Sequence, residues 1–416
     1  MLGPKLPSRS DRNARLVGCI TFSSLICIPL AQTTFEFAPT GKLGGVETPV
    51  AADTQLSLRA WNDGKWQEEV DHRASDELGL RSWIIRLDNE LRFSALESTK
   101  RPVVMGEGGS LFLENYFPGK SYLHPFQVQP LLTRLWNLKT LQQVMSEHGI
   151  TLCLCISPNK AEVYQHLIPA DQRRVREAIG SKWLLRDLVE KAVKVGGIQC
   201  IDLAAQFKTW LASAPLGAPP LFPPTGTHWS NYGAARATTY LLDELERMSG
   251  RDIVNLELAG TETSNRPVDD ENDVGVMSNI LAEERFISPS PQPVIRARHG
   301  DQGRPAKLLF VGTSFVWGLT RALTKVTATE RLTVWYYFKS QIEFINGQRQ
   351  PSKPLEGRAE DLPEMVRGFD FVIIEINENT LMDLGQNFVE AALKGFGKEP
   401  AASVPAEILQ AFQTAR

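Results

Sequence analysis

Hydrophobic positions along this chain recur in two periods, and the alternation of the two predicts the architecture. In Trp61–Leu96 the segment LRSWIIRLDNELRFSAL places apolar residues at Leu80, Trp83, Ile84, Leu87, Leu91 and Phe93, close to helical spacing. VVMGEGGSLFL then reads as a hairpin, with Gly106, Gly108 and Gly109 available to the turn. Pro130–His148 is amphipathic at helical period. Ile150–Pro158 (ITLCLCISP) is a short, nearly continuous apolar run, as in a strand covered on both faces. A helix over about Lys182–Val195 follows, and then IQCIDLAAQF, a strand leading into a helix. NYGAARATTYLLDELERMSG is a helix with a natural stop at Gly250. AKLLFVGTSF is a strand entering a turn, LTVWYYF a strand, and FDFVIIEINE a last buried strand. Strands that alternate with helices predict an α/β fold, with a mostly parallel sheet flanked by helices. Residues 260–304, polar, acidic and then Pro-containing, read as an insertion and long loop, and the tail 396–416 is weakly specified.

One segment stands outside this alternation. Lys5, Arg9, Arg12 and Arg15 precede the uncharged run LVGCITFSSLICIPLA, Leu16–Ala31. A basic stretch before about 15 apolar residues reads as an export signal, either cleaved or kept as an anchor. Residues 1–15 then remain inside, 16–32 form the signal or anchor, and 33–60 lead away from the membrane as a linker. The run is short for a span of about 20 residues, although Gln32–Phe37 could lengthen it at the interface. The main body is expected over 61–395.

Composition narrows the function by exclusion. The 416 residues carry a net charge of −3, which offers no basic excess for nucleic acid. No motif for a metal or nucleotide cofactor is present, so none is expected. Of five cysteines, Cys19 and Cys27 fall in the export segment; Cys153, Cys155 and Cys200 fall in strand-like runs and read as buried free thiols.

Four places can carry chemistry. In LLFVGTSFVWG a buried strand ends at Gly312, and Thr313 and Ser314 occupy the turn at its C-terminal edge, where open α/β sheets place reactive groups. A serine there can expose its Oγ while neighbouring N–H groups face an oxyanion; helix capping is the local alternative. In TGTHW, His228 could take a proton from such a serine. The position two before it, from which a carboxylate could orient the ring, is Gly226, which has no side chain. Glu378, in EINENTL after the last strand, could orient other groups. Asn159 and Lys160, in SPNKAEVY after another strand end, could donate to an oxyanion or bind a sugar; turn formation is the alternative.

Taken in order, ELGLRSWIIRLDNELRF, VVMGEGGSLFL, GITLCLCISPNKAEVY, GTHWSNYGA, LLFVGTSF and VIIEINENTL resemble the alginate O-acetyltransferase (AlgJ/AlgX) family, over about residues 61–385. The resemblance implies an SGNH-hydrolase-like fold in permuted order, with the histidine loop before the serine turn. It implies a polysaccharide O-acetyltransferase acting through an acetyl-serine: Ser314 as nucleophile, His228 as base, and Thr313 with Asn159 near the oxyanion. Trp229, Trp317, Tyr336 and Tyr337 are candidates for stacking on sugar. The implied partners are an exopolysaccharide and a membrane-bound O-acyltransferase that donates acetyl, at the periplasmic face of the inner membrane. The family's D-x-H-W motif has lost its aspartate to Gly226. Glu378 or an acid of the 269–273 run could replace it; otherwise a dyad would remain, or an impaired relative that binds polysaccharide or scaffolds the biosynthetic complex. An acetylesterase would use the same residues with water as acceptor. A carboxylate oxygen within hydrogen-bond reach of His228 Nδ1 is the feature that favours an enzyme.

Overall fold

The structure, a computed structural model, describes residues 9–39, 41–45, 57–76, 79–96, 99–117, 125–179, 185–300, 303–407 and 409–410. Lys5 of the basic stretch and the last six residues of the tail lie outside the described residues. The chain divides into two compact units, one of Met1–Lys100 with Gly275–Arg285, the other of Arg101–Val274 with Phe286–Arg416. Residues 61–100, expected in the main body, therefore group with the N-terminal segment.

The first unit is helical. Helix α1 (Arg9–Phe35) contains the uncharged run and extends it, so that Asn13–Phe35 forms 23 residues long and apolar enough to cross a membrane. At ~1.5 Å per residue this is about 35 Å, against about 30 Å of hydrocarbon. Helices α2 (Leu58–Asn62), α3 (Lys65–Asp76) and α4 (Arg81–Leu96) follow.

The second unit is the α/β body. It opens with the predicted hairpin, β1 (Val103–Met105) and β2 (Leu111–Leu113), which pair antiparallel around Gly108 and Gly109, both at positive φ. Then come α5 (Pro125–Glu147), β3 (Thr151–Ser157), α6 (Lys160–Val163), α7 (Ala170–Ile179), α8 (Leu185–Gly196), β4 (Cys200–Asp202), α9 (Leu203–Ala212) and α10 (Asn231–Ser249). Helix α10 starts on Ser230, whose Oγ accepts from Gly233 N, and stops at Gly250 at φ 67°. Next are β5 (Asn255–Ser264), α11 (Asp273–Met277), β6 (Ser290–Arg298), β7 (Ala306–Gly312), α12 (Val316–Thr324) and β8 (Thr329–Tyr336). The last elements are β9 (Ser340–Ile345), β10 (Gln348–Arg349), β11 (Lys353–Pro354), α13 (Leu362–Val366), β12 (Phe371–Asn377) and α14 (Phe388–Gly395).

The central sheet runs β10-β9-β8-β7-β12-β3-β4. Strands β8, β7, β12, β3 and β4 are parallel, and β9 adds an antiparallel edge. The arrangement is α/β, with both faces of the sheet covered. Strand β3 shows why its sequence reads as continuous apolar: Leu152, Leu154 and Ile156 enter the core on one face, while Cys153 and Cys155 enter the core on the other. Burial pushes the Cys153 thiol up to about 12 and Cys155 well above its ordinary value, and all three cysteines of the sheet are free.

The stretch 260–304 is more than a loop. Strands β5 and β6 pair antiparallel at its two ends, and the segment between them, 265–289, carries the acidic run 269–273. The polar residues of β5 fit a pairing that is largely exposed, which is why the strand is not legible as an apolar run.

Candidate active site

Strand β7 ends at Gly312, and the chain turns through Thr313 and Ser314 into α12. Gly312 is there for close approach and not for a positive φ: a Cβ would sit 2.7 Å from Val316 Cγ1 and 2.9 Å from Glu375 Oε2. The neighbouring strand β12 places Glu375, 1% exposed, directly beneath this turn. Its Oε2 accepts from Thr313 N (2.7 Å) and Thr313 Oγ1 (2.8 Å), and its Oε1 accepts from Ser157 Oγ. Burial raises the Glu375 carboxyl above its ordinary value, and the three donors with the nearby imidazole pull against that. Thr313 is thus fully committed to Glu375 and has no donor left for an oxyanion. Among the described residues, Ser314 N–H has no hydrogen-bond acceptor.

The histidine loop, 221–230, lies across the adjoining edge. Lys160, at the start of α6, is 3% exposed and donates Nζ to three carbonyls, Leu111 O (2.8 Å), Pro224 O (2.7 Å) and Gly226 O (2.9 Å). Burial lowers its pKa to about 7 while the charge of Asp273 raises it. Three carbonyl acceptors call for three N–H protons, which only the ammonium form supplies. On the other side of the loop, Trp229 packs between Phe207 (5.8 Å between centroids) and Phe315 (5.3 Å), beneath Gly318 of α12. Trp229 is 1% exposed. It anchors the loop in the core and cannot stack on a sugar.

These supports bring His228 to Ser314. The His228 Nε2–Ser314 Oγ distance is 2.7 Å. On the other side of the ring, Nδ1 lies 2.8 Å from Asp273 Oδ2, and Asp270 Oδ2 is 3.6 Å away. Asp273 Oδ1 accepts from Thr227 N (2.8 Å) and Val274 N (2.7 Å), which fixes the carboxylate against the same loop. The segment around it is held in turn. Glu271, 1% exposed, accepts from Asn231 N (2.9 Å), Val268 N (3.1 Å) and Gln292 Nε2 (3.0 Å). Arg321 of α12 donates to Asp270 Oδ1 (2.5 Å) and Asn231 Oδ1 (3.2 Å). Burial disfavours the His228 imidazolium. The Asp273 hydrogen bond, the Asp273 charge and that of Asp270 outweigh it against a smaller opposing effect of Arg321, so the pKa is raised.

The carboxylate at His228 therefore comes from the segment between β5 and β6, and Gly226 is occupied space, not a vacancy in the site. A Cβ at Gly226 would lie 2.6 Å from Pro223 Cγ and 2.8 Å from Glu271 O. The backbone of the acid-bearing segment fills the volume that an aspartate at 226 would need.

Two other sequence candidates do different work. Asn159 is wholly buried: its Oδ1 caps α6 by accepting from Ala161 N (3.0 Å), its Nδ2 donates to Tyr116 O (2.7 Å), and its N–H goes to Glu378 Oε1 (2.7 Å). Its side chain is buried in these contacts, and it does not line the cleft at Ser314. Glu378 faces Asn159 and Arg186 (Oε2–Nε 3.5 Å), and burial lifts its carboxyl to about 7, so it does not orient His228. Both are spent on joining the C-terminal ends of β3 and β12.

A cleft of ≈ 290 Å³ opens over Ser314, bounded among others by Tyr116, Tyr337, Arg134, Lys339 and Asp383. Tyr337 lines this cleft beside Ser314, and burial with the neighbouring Tyr336 and Glu375 raises its hydroxyl to about 12. Tyr337 also stands at φ 50°, its N–H donated to Gly312 O (2.9 Å), so the backbone is bent to bring it there. Tyr336 and Trp317 continue from it (4.6 and 4.9 Å between successive centroids), and Arg349 lies 4.1 Å over the Trp317 ring. Tyr337 is exposed, and Tyr336 and Trp317 are half-buried.

The sequence points to Ser314, His228 and the run 269–273 but does not single out Asp273 or Glu375, and it offers Lys160 for an oxyanion or a sugar, whereas its ammonium is spent on three carbonyls that hold the histidine loop. Glu375 does have a signal in the sequence, as a lone charged residue inside the otherwise apolar run FVIIEIN. For Asp273 no local signal separates it from Asp269, Asp270 and Glu271.

Comparisons with known proteins bear on this geometry. A search of curated proteins by sequence found no match. Among solved structures, the O-acetyltransferase domain of Pseudomonas putida AlgJ is 19% identical, covering 75% of this chain and 99% of that one, at a TM-score of 0.41. Pseudomonas aeruginosa AlgX is 11% identical over 70% and 68% of the two chains, TM-score 0.39. Bacillus cereus PatB1 with a sulfonyl adduct is 8% identical over 67% and 94%, TM-score 0.44. The family model described as ALGX, SGNH hydrolase-like domain, acetyltransferase AlgX, matches residues 103–327, just over half of the chain, so this protein belongs to that SGNH hydrolase-like AlgX family.

Proposed function

We propose that this protein is an exported polysaccharide O-acetyltransferase that works through an acetyl-serine on Ser314. The observation that carries the reading is the single imidazole of His228 bridging Ser314 Oγ and the Asp273 carboxylate. That arrangement suits a general base: Asp273 fixes the tautomer with the proton on Nδ1 and leaves Nε2 free to accept.

In the first half-reaction, Ser314 Oγ attacks the acetyl carbonyl of the donor while its proton passes to His228 Nε2. The tetrahedral oxyanion faces Ser314 N–H and the Tyr337 hydroxyl, which lines the same cleft. As the carbonyl reforms, the bond to the donor's leaving group breaks and His228 returns the proton to it. In the second half, a sugar hydroxyl gives its proton to Nε2 and attacks the acetyl carbon. The Ser314 Oγ–carbon bond then breaks, and the serine regains its proton from His228. Tyr337, Tyr336 and Trp317 are suited to hold the acceptor by stacking. By family resemblance we assign the donor to a membrane-bound O-acyltransferase, and the place of action to the periplasmic face, with α1 as anchor. The reading as an impaired binding relative rested on the missing acid at Gly226, and the 2.8 Å contact to Asp273 weighs against it.

The test is acetyl release from a chromogenic acetyl ester by the full-length protein, with and without a polysaccharide acceptor, followed by mass analysis of the peptide that carries Ser314. Wild type should release acetyl, carry one acetyl group on Ser314, and pass it to the acceptor. Ser314→Ala should do none of these. Equal turnover by wild type and Ser314→Ala would refute the mechanism, and release to water that no acceptor diverts would make the protein an acetylesterase.

A further inference from the structure

Helix α4 has its amphipathic faces reversed. Its polar residues point into the helical unit: Asn89, 6% exposed, donates to Ser278 O (3.0 Å) and Asn279 O (3.2 Å), Arg86 pairs with Glu283, and Glu90 accepts from Ala282 N (3.1 Å) and pairs with Arg285 (3.0 Å). Its apolar stripe points outward, with Trp83, Ile84, Leu87 and Leu91 between 47% and 61% exposed. A helix in water does the opposite, and four large side chains on one stripe form a patch that calls for a partner.

The position of the stripe says which partner. The segment that starts α4 is seated on the last turns of α1. Gly79 N donates to Thr33 Oγ1 (2.7 Å), and a Cβ on Gly79 would collide with Pro29 O and Gln32. Gln32, 3% exposed, clamps the chain leaving α1 through both ends of its side-chain amide: Nε2 donates to Ala38 O (2.6 Å), and Oε1 accepts from Ala38 N (2.9 Å). Trp83 Nε1 donates to Pro39 O (3.0 Å). Helix α4 therefore begins where the candidate span Asn13–Phe35 ends, at the depth of the headgroups when that helix crosses a bilayer. Tryptophan at that level, with its ring apolar and its N–H satisfied, is what the interface selects.

We propose that α4 lies in the surface of the same bilayer that α1 spans, with Trp83, Ile84, Leu87 and Leu91 set into the boundary between headgroups and acyl chains, about 5–10 Å deep. This rests on the reading of α1 as a retained anchor. It gives the helical unit a second attachment to the membrane, so that α1 is the tether and α4 holds the unit against the surface.

The test uses the full chain in phosphatidylcholine–phosphatidylglycerol vesicles, with nitroxide labels placed one at a time at Ile20→Cys, Leu87→Cys, Leu91→Cys and Arg92→Cys, in a Cys19→Ser, Cys27→Ser background. Collision with oxygen and with a water-soluble nickel chelate reads immersion. The expected result is lipid immersion at 20, shallow immersion at 87 and 91, and several-fold greater nickel access at 92 than at 87. Immersion at 20 with free nickel access at 87 and 91 overturns the proposal and leaves the anchor standing. Free nickel access at 20 sinks the anchor reading and the proposal with it. Spin–spin broadening at 87, as from a second copy covering the stripe, also overturns it.

Discussion

Replacing Gly226 by aspartate would restore the D-x-H-W motif in sequence and should damage the site in fact. The added Cβ would lie 2.6 Å from Pro223 Cγ and 2.8 Å from the Glu271 carbonyl oxygen, where ordinary contacts begin near 3.4 Å. The backbone at Glu271 would have to retreat by about 0.6 Å, the difference between 3.4 and 2.8 Å. It is not free to do so, because the Glu271 side chain is pinned by Asn231, Val268 and Gln292. Two residues on, Asp273 would be carried away from His228 Nδ1, stretching a 2.8 Å contact toward the edge of hydrogen bonding. Overpacking of this kind costs about 1–3 kcal/mol of stability. Loss of the orienting carboxylate costs up to about 10⁴ in rate, or about 5.4 kcal/mol of transition-state stabilisation. The assay is acetyl-ester turnover beside a urea melt, for Gly226→Asp and for Gly226→Asp combined with Asp273→Ala. Both variants should turn over well below wild type, the double no better than Asp273→Ala alone, and the single should unfold at lower urea. Turnover of Gly226→Asp above wild type, or rescue of Asp273→Ala by it, would refute the reasoning.

The remaining predictions concern the groups around the imidazole. His228 must be neutral to accept a proton, and Asp273 raises its pKa, so activity should rise with pH through a midpoint above the ordinary histidine value of about 6.5. In Asp273→Asn that midpoint should move to lower pH while the plateau falls, and an unmoved midpoint in the pH–rate profile would count against Asp273 as the orienter. Glu375→Gln puts an amide against three donors at the nucleophile turn; kcat should fall with little change in KM, and stability should drop by about 1–3 kcal/mol in denaturant. Lys160→Met leaves three buried carbonyls without their shared donor and should lower the urea midpoint by a similar amount or more, with loss of activity because the histidine loop is no longer held. Trp317→Ala should raise KM for a polysaccharide acceptor and leave hydrolysis of a small acetyl ester near wild type.

Local pattern alone determined a good part of this protein. The two-sided apolar run of β3, the strand ending at Gly312, the helix between Ser230 and Gly250 and the apolar N-terminal helix α1 are all written in nearest-neighbour periodicity and end signals, and they form as that periodicity requires. Ser314 and His228 are legible too, because a turn after a buried strand and a His-Trp pair in a Pro/Gly loop are local features. What only the tertiary structure decides is whatever depends on segments far apart in the chain. Asp273 reaches His228 because β5 and β6 pair and carry an acidic stretch to the imidazole, across 45 residues of sequence. Nothing nearer the histidine announces it, and Gly226 reads as a loss until the Glu271 backbone is seen to occupy its place. The same holds for Trp229 and Asn159, whose composition suits sugar or oxyanion and whose burial assigns them to packing and capping. It holds also for α4, where the period gives a helix but only the contacts of Asn89 and Arg86 show that its polar side faces in. Periodicity fixes which residues share a face; which way the face turns is set by what else folds against it.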